Sequence, residues 1–181
     1  GFGVHVMTKS DLVVRDAELL SEVGRVHAAV SFSFTTADDA LARILEPGAP
    51  SPSRRLEAMA RLRAAGVRTG VLLMPVLPFL TDGEAHVKHL ATAAHASGAQ
   101  YIAPWWSVTL RDRQRAYFYD ALDRSFPGVR ARYEERFGAR YECQSPAAAR
   151  LGPWLATWCA QRALGTAVPK GTYEARQLRL L

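Results

Sequence analysis

A chain of 181 residues with 49% apolar and 22% charged side chains can enclose a real core, and the composition is neither disordered nor fibrous. No apolar run is long enough to cross a bilayer, so no membrane partner is expected. Two cysteines, Cys143 and Cys159, give no disulfide framework, which points to a reducing, cytoplasmic setting. The net charge of +6 is uneven: residues 1–104 carry ten Lys+Arg against ten Asp+Glu, and residues 105–181 carry thirteen against seven.

In chain order, Val4-His5-Val6-Met7 reads as a strand, with Thr8-Lys9-Ser10 at its C-terminal end. Asp16 is a candidate cap for a helix through Leu19, Leu20 and Val23 to Gly24. Ala28 to Phe34 has the length and β-branched or aromatic content of a buried strand. Thr36 and Asp38 are candidate caps for a helix over Ala37 to Leu45, and Pro47, Pro50 and Pro52 forbid its continuation. Ser51 or Ser53 can start the next helix, whose apolar face is Leu56, Met59, Leu62 and Ala65 and whose end is a left-handed Gly66. Val67 to Met74 is a third strand. Thr81 to Glu84 fits a capping box for a helix showing Val87, Leu90, Ala91 and Ala94, closed by Gly98. Tyr101 to Pro104 is a fourth strand, with Trp105 and Trp106 at its exit.

These four βα repeats argue for a parallel α/β sheet, with strands near 4–8, 28–34, 68–74 and 100–104, either doubly wound or part of a (β/α) barrel. In both, ligands bind where the strands end, and there the polar residues Lys9, Ser10, Ser33 and Thr35 gather, with Pro75 to Pro78. From Arg111 onward the pattern reads as helices only, over residues 111–164, packing through Tyr117, Leu122, Tyr133, Phe137, Trp154 and Trp158. The tail from Thr166 reads as weakly ordered.

Little of the chain matches a known chemical motif. There is no glycine-rich phosphate loop, no Gly-x-Ser-x-Gly elbow and no HExxH, and no catalytic residue is identifiable. His86 and His89 stand three apart on a polar helical face without a third ligand, and read as a solvated pair. Cys143, in a segment flanking a helix, and Cys159, on an apolar helical face, lack metal-ligand spacing and read as structural, so no residue is assigned to a metal. The tryptophans read as core or interface rather than a base-stacking platform. Lys9, alone between Thr8 and Ser10 at a sheet mouth, is placed either to hold an anionic group or to sit in solvent as a loop lysine.

Taken together, Thr8-Lys9-Ser10, Arg15-Asp16, Ser33 with Thr35-Thr36, Glu46-Pro47 with Pro50, Arg55-Leu56, Ala65-Gly66 and Met74-Pro75 with Pro78 resemble the radical SAM proteins. The resemblance is to their spore-photoproduct-lyase-like branch, often labelled DNA repair photolyases, and it covers about residues 4 to 106. It implies the C-terminal part of a partial (β/α) TIM barrel at residues 1–106, and the charge and helix pattern of the remainder read as a basic, all-helical extension at 107–181. It implies an enzyme using S-adenosylmethionine and a [4Fe–4S] cluster, in which reductive cleavage of S-adenosylmethionine gives a 5′-deoxyadenosyl radical that takes a substrate hydrogen. By resemblance, Lys9, Ser33 and Thr35, with the backbone of Met74, Pro75 and Val76, would hold the cofactor. Glu46 and Arg55 are placed either to touch the cofactor or, the preferred reading, to form a structural ion pair beneath it.

The family's CxxxCxxC cluster loop has no counterpart here. The chain is therefore expected to be the C-terminal portion of a longer protein. Its expected partners are the N-terminal half-barrel of that protein, which carries the cluster ligands, and a one-electron reductant. The rival readings are a nucleic-acid-binding module working through the basic C-terminal part, with nucleic acid as partner, and an inert α/β scaffold.

Overall fold

The computed structural model describes residues 2–170. Four strands form one sheet in the order β1 (Val4–Thr8), β2 (Ala28–Phe34), β3 (Arg68–Leu73), β4 (Ile102–Pro104). All three pairings are parallel, as the βα periodicity requires, and the arrangement is that of a partial (β/α) barrel. The connections are α1 (Ala17–Val23), α2 (Asp39–Leu45), α3 (Pro52–Ala64) and α4 (Glu84–Ala96). Among the described residues no helix is long and apolar enough to cross a membrane.

Local chemistry sets most of the boundaries. The Asp38 carboxylate accepts from the Ala40 and Leu41 amides, so α2 starts at Asp39 rather than at Ala37. Ser51 accepts from the Arg54 amide and opens α3, with Pro52 in its first turn. Gly66, at φ 80°, takes the left-handed turn behind that helix. Two expected caps are not used. Asp16 is held by the neighbouring Arg15, and a 3₁₀ turn over Asp11–Asp16, capped by Ser10, leads into α1 instead. Thr81 accepts from the Leu77 amide, so its hydroxyl braces the preceding loop and Gly83 takes the N-cap of α4 without a side-chain bond.

Strand periodicity divides the sheet into two faces. Val30, Phe32 and Phe34 of β2, with Val71, Leu73 and Ile102, meet Leu20 of α1, Met59 and Leu62 of α3, and Val87 and Leu90 of α4 in one core. On the opposite face, Ser31, Gly70 and Tyr101 lie side by side across three strands. The Tyr101 hydroxyl is 2.7 Å from Ser31 Oγ, which lies 2.7 Å from His5 Nε2. The tyrosine ring passes so close to the β3 backbone that only a glycine at position 70 leaves it room.

The C-terminal third departs from an all-helical expectation. Beside α5 (Asp112–Ser125), α6 (Val129–Phe137) and α7 (Ala148–Ala160) there are two short strands, β5 (Ser107–Thr109) and β6 (Glu142–Gln144), paired antiparallel. Cys143 is therefore a strand residue opposite Val108, not part of a helix flank. Each strand has three residues, too few to show a period in sequence, and each exists through the other. They form a second core with Leu77, Leu110, Tyr119, Leu122, Tyr133 and Phe137. Arg115 fastens it by donating to the carbonyls of Leu110, Gly138, Ala139 and Arg140. Leu122, Tyr133 and Phe137 are buried as expected, but Tyr117 is 67% exposed, because Phe118 and Tyr119 supply the inward rings. Helix α7 returns to the first core through Leu151, Leu155 and Cys159, with Trp154 and Trp158 partly buried against it. Most of the tail that reads as weakly ordered, residues 171–181, lies outside the described residues.

A Cβ at Gly70 would sit 2.5 Å from the Tyr101 ring. Gly70→Ala is expected to lower stability by about 1–3 kcal/mol, as overpacking does. Urea unfolding measures it, and an unchanged midpoint would contradict the close approach.

Candidate functional site

The C-terminal ends of β1, β2 and β3 bring together residues distant in sequence. Lys9 follows β1, Ser33 is the penultimate residue of β2, and Met74 follows β3. Lys9 Nζ donates to Ser33 Oγ at 3.2 Å and to Glu46 Oε1 at 2.7 Å. Ser33 Oγ donates to the Met74 carbonyl at 2.9 Å. The Thr35 hydroxyl donates to Glu46 Oε1 at 2.6 Å. From below, Arg55 Nη2 donates to Glu46 Oε2 at 2.6 Å, while its other nitrogens reach the carbonyls of Ser33 and Pro50. The guanidinium is 1% exposed and lies over the Phe34 ring.

Glu46 is the hub. Burial alone would raise its carboxyl, but the hydrogen bonds from Lys9 and Thr35, the Lys9 charge and the Arg55 bond outweigh this and hold it below the usual carboxylate value. Two cations around one carboxylate leave a net positive charge at the mouth.

The sequence-derived site residues fall into three groups. Lys9, Thr35 and Pro75 line a cavity of about 410 Å³ at this edge. Ser33 and Met74 support it through the bonds just described, and the Met74–Pro75 peptide is cis. Val76 turns its side chain fully into the core, and its amide donates to the Trp105 carbonyl, so only its carbonyl is available to a ligand. Sequence reasoning missed the far wall of the cavity, which comes from α5 and includes Gln114, Tyr117, Phe118 and Arg124. Nothing local to α5 points to the sheet mouth; the sole available signal was an aromatic residue left on its polar face.

His86 and His89 are not a solvated pair. His86 is half-buried, and among the described residues its Nε2 has no partner. Burial lowers its pKa by more than the Thr35 carbonyl restores. His89 is exposed. Among the described residues no three His, Cys, Asp or Glu side chains group as metal ligands. Cys143 and Cys159 are each free and buried, and burial pushes both thiols up, away from the thiolate a cluster needs. These residues do not fit an iron–sulfur cluster.

The mouth does fit the polar end of S-adenosylmethionine. Lys9 has three N–H donors and uses two, leaving one for a carboxylate. The Ser33 proton is committed to Met74, so toward a ligand hydroxyl Ser33 can only accept.

Comparison with known proteins bears on the family of the chain. The model of the radical SAM superfamily matches residues 1–91, and the chain belongs to that superfamily. Its members are enzymes that use S-adenosylmethionine and a [4Fe–4S] cluster. An uncharacterized protein of Mycobacterium tuberculosis is 34% identical over 156 residues, which cover 86% of this chain and 42% of the relative. An uncharacterized protein of Mycobacterium bovis shows the same identity and coverage. An uncharacterized protein of Methanocaldococcus jannaschii is 30% identical over 81 residues, 45% of this chain and 30% of that protein. The chain thus spans less than half the length of the mycobacterial relatives. No solved structure matches it.

Two outcomes follow. Because the Glu46 pKa is lowered on folding, its stabilisation is complete above the unfolded value of about 4.3 and is lost as the pH falls through the folded value. Glu46→Gln should lose about 3–5 kcal/mol at neutral pH, since Arg55 is left buried beside an uncharged amide. It should also lose part of the acid dependence seen in urea titrations; equal curves for both proteins at pH 7 and pH 4 would remove Glu46 from the hub. Separately, incubating the chain with iron and sulfide should give no cluster absorbance owed to its cysteines. A stable cluster abolished by Cys143→Ala or Cys159→Ala would reverse that conclusion.

Proposed function

We propose that this chain supplies the S-adenosylmethionine-holding part of a radical SAM enzyme of the spore-photoproduct-lyase-like branch. The observation that carries the reading is the Lys9–Ser33–Glu46 cluster, set at the mouth of a parallel sheet within the span that matches the superfamily. Bound S-adenosylmethionine would supply a carbon-centred oxidant for hydrogen abstraction from a substrate.

The chain's own residues bind and orient. Lys9 offers its remaining N–H to the cofactor's carboxylate, and Glu46 with Thr35 fixes the lysine in place. Ser33, pinned by Met74, accepts from the ribose. The backbone at Met74, Pro75 and Val76 would hold the adenine, where Pro75 would present a carbonyl without a competing amide. The cluster ligands and the contact for the one-electron reductant come from residues other than Cys143 and Cys159, on a half-barrel that completes the mouth. Nucleic acid as partner has less support: Arg115, Arg130 and Arg150 are engaged with carbonyls or carboxylates, and Tyr133 and Phe137 are buried in the second core.

In the natural protein, Lys9→Ala is expected to weaken equilibrium binding of S-adenosylmethionine ten- to a hundredfold, roughly the worth of one charge-assisted hydrogen bond. Iron content, counted on the same samples, should stay the same. Ser33→Ala should have a milder effect in the same direction. Unaltered affinity in Lys9→Ala would move the cofactor away from this mouth.

A further inference from the structure

The mouth cavity extends well beyond the residues assigned to the cofactor, and its outer half has no role so far. Its floor is apolar, from Leu77, Val108 and Leu110. Its outer wall is α5, where Gln114, Tyr117, Ala121 and Arg124 recur at intervals of three and four and so share one helical face. Phe118 and Phe126 add two more aromatic rings to the lining. On the opposite lip stands Ile44 of α2. Ile44 is 52% exposed and Tyr117 67% exposed, two large apolar side chains left in water on facing sides of one groove.

The charges are as uneven as the walls. At the sheet end, Lys9 shares Glu46 with Arg55, and its remaining N–H is the one assigned to the cofactor. At the helix end, Arg124 makes no ion pair or hydrogen bond among the described residues, while Arg130 is satisfied by Asp123 and Glu134. Arg124 lies seven positions after Tyr117, which sets them about 10 Å apart along the helix. Arg115 fastens the start of α5 to the turn after α6, so the wall is a fixed surface.

The geometry points to a substrate pocket for an aromatic compound with a single anionic group. The ring lies between Ile44 and the Tyr117 and Phe118 rings, the anion meets Arg124, and the opposite end of the molecule faces Lys9 and Pro75. A volume of about 410 Å³ is ample for one small aromatic acid, sulfonate or phosphate. The ligand class rests on the groove alone; its role as substrate rests on the cofactor reading, which places the reacting end at Lys9.

The test uses the full chain, with anilinonaphthalene sulfonate as the aromatic anion and N-phenylnaphthylamine as its uncharged counterpart, both read by fluorescence. The sulfonate should bind at one site per chain. Arg124→Glu should weaken it roughly tenfold and leave the neutral probe unchanged. Ala121→Trp, which fills the groove from its helix wall, should abolish both. Circular dichroism and the melting temperature confirm that each variant is folded; Arg124 and Ala121 are not core residues.

Equal loss of both probes in Arg124→Glu, or binding that survives Ala121→Trp, would overturn the pocket. S-adenosylmethionine binding in Lys9→Ala is scored separately. Its persistence beside a groove that behaves as described would sink the cofactor reading and leave the aromatic-anion site standing.

Discussion

The arrangement depends on one carboxylate. Glu46 ends α2, and its two oxygens are shared by Lys9 from the end of β1, Thr35 from the end of β2 and Arg55 from α3. Four elements far apart in sequence thus meet at a group only 12% exposed. A buried arginine is tolerated only when its donors are used, and Arg55 uses its own on Glu46, Ser33 and Pro50. The same network leaves the mouth with an excess positive charge, partly withdrawn from water, where attraction for a carboxylate is stronger than in solvent.

Two cores hold this mouth in place. The first lies between the sheet and the helices that cover one of its faces, and α7 joins it although it comes from the far end of the chain. The second lies beyond the strand ends, between α5, α6 and the β5–β6 pair. Leu77 belongs to this second core and Val76, its neighbour, to the first. The loop that carries Pro75 is therefore anchored on both sides, and the cavity beside it is lined by second-core residues, among them Leu77, Val108 and Leu110.

Much of this could be read from the residues. The strand positions and their order followed from apolar runs separated by helix-length segments, and the start of α3 from Ser51 and Pro52. The residues at the mouth were legible because parallel strands point their C-terminal ends the same way, so Lys9, Ser33 and Met74 had to be neighbours. The β5–β6 pair was not legible: three residues cannot display a period, and the partner of Val108 is fixed by the path of α5 and α6 between them. The exposure of Tyr117 was hidden for a similar reason, since three consecutive aromatic residues, Tyr117, Phe118 and Tyr119, offer two faces for one core.

The sequence by itself determined the class of fold, which is encoded in short-range patterns of apolar residues, caps and prolines, and the superfamily, which an ordered set of short motifs resembles. Only the tertiary structure decided that Glu46 bridges Lys9 and Arg55, that the Ser33 proton is spent on Met74, and that α5 closes the cavity with Arg124 at its far end. Hydrogen-bond partners and cavity walls are fixed by packing between elements remote in sequence, and no local pattern records which helix face will meet which strand end.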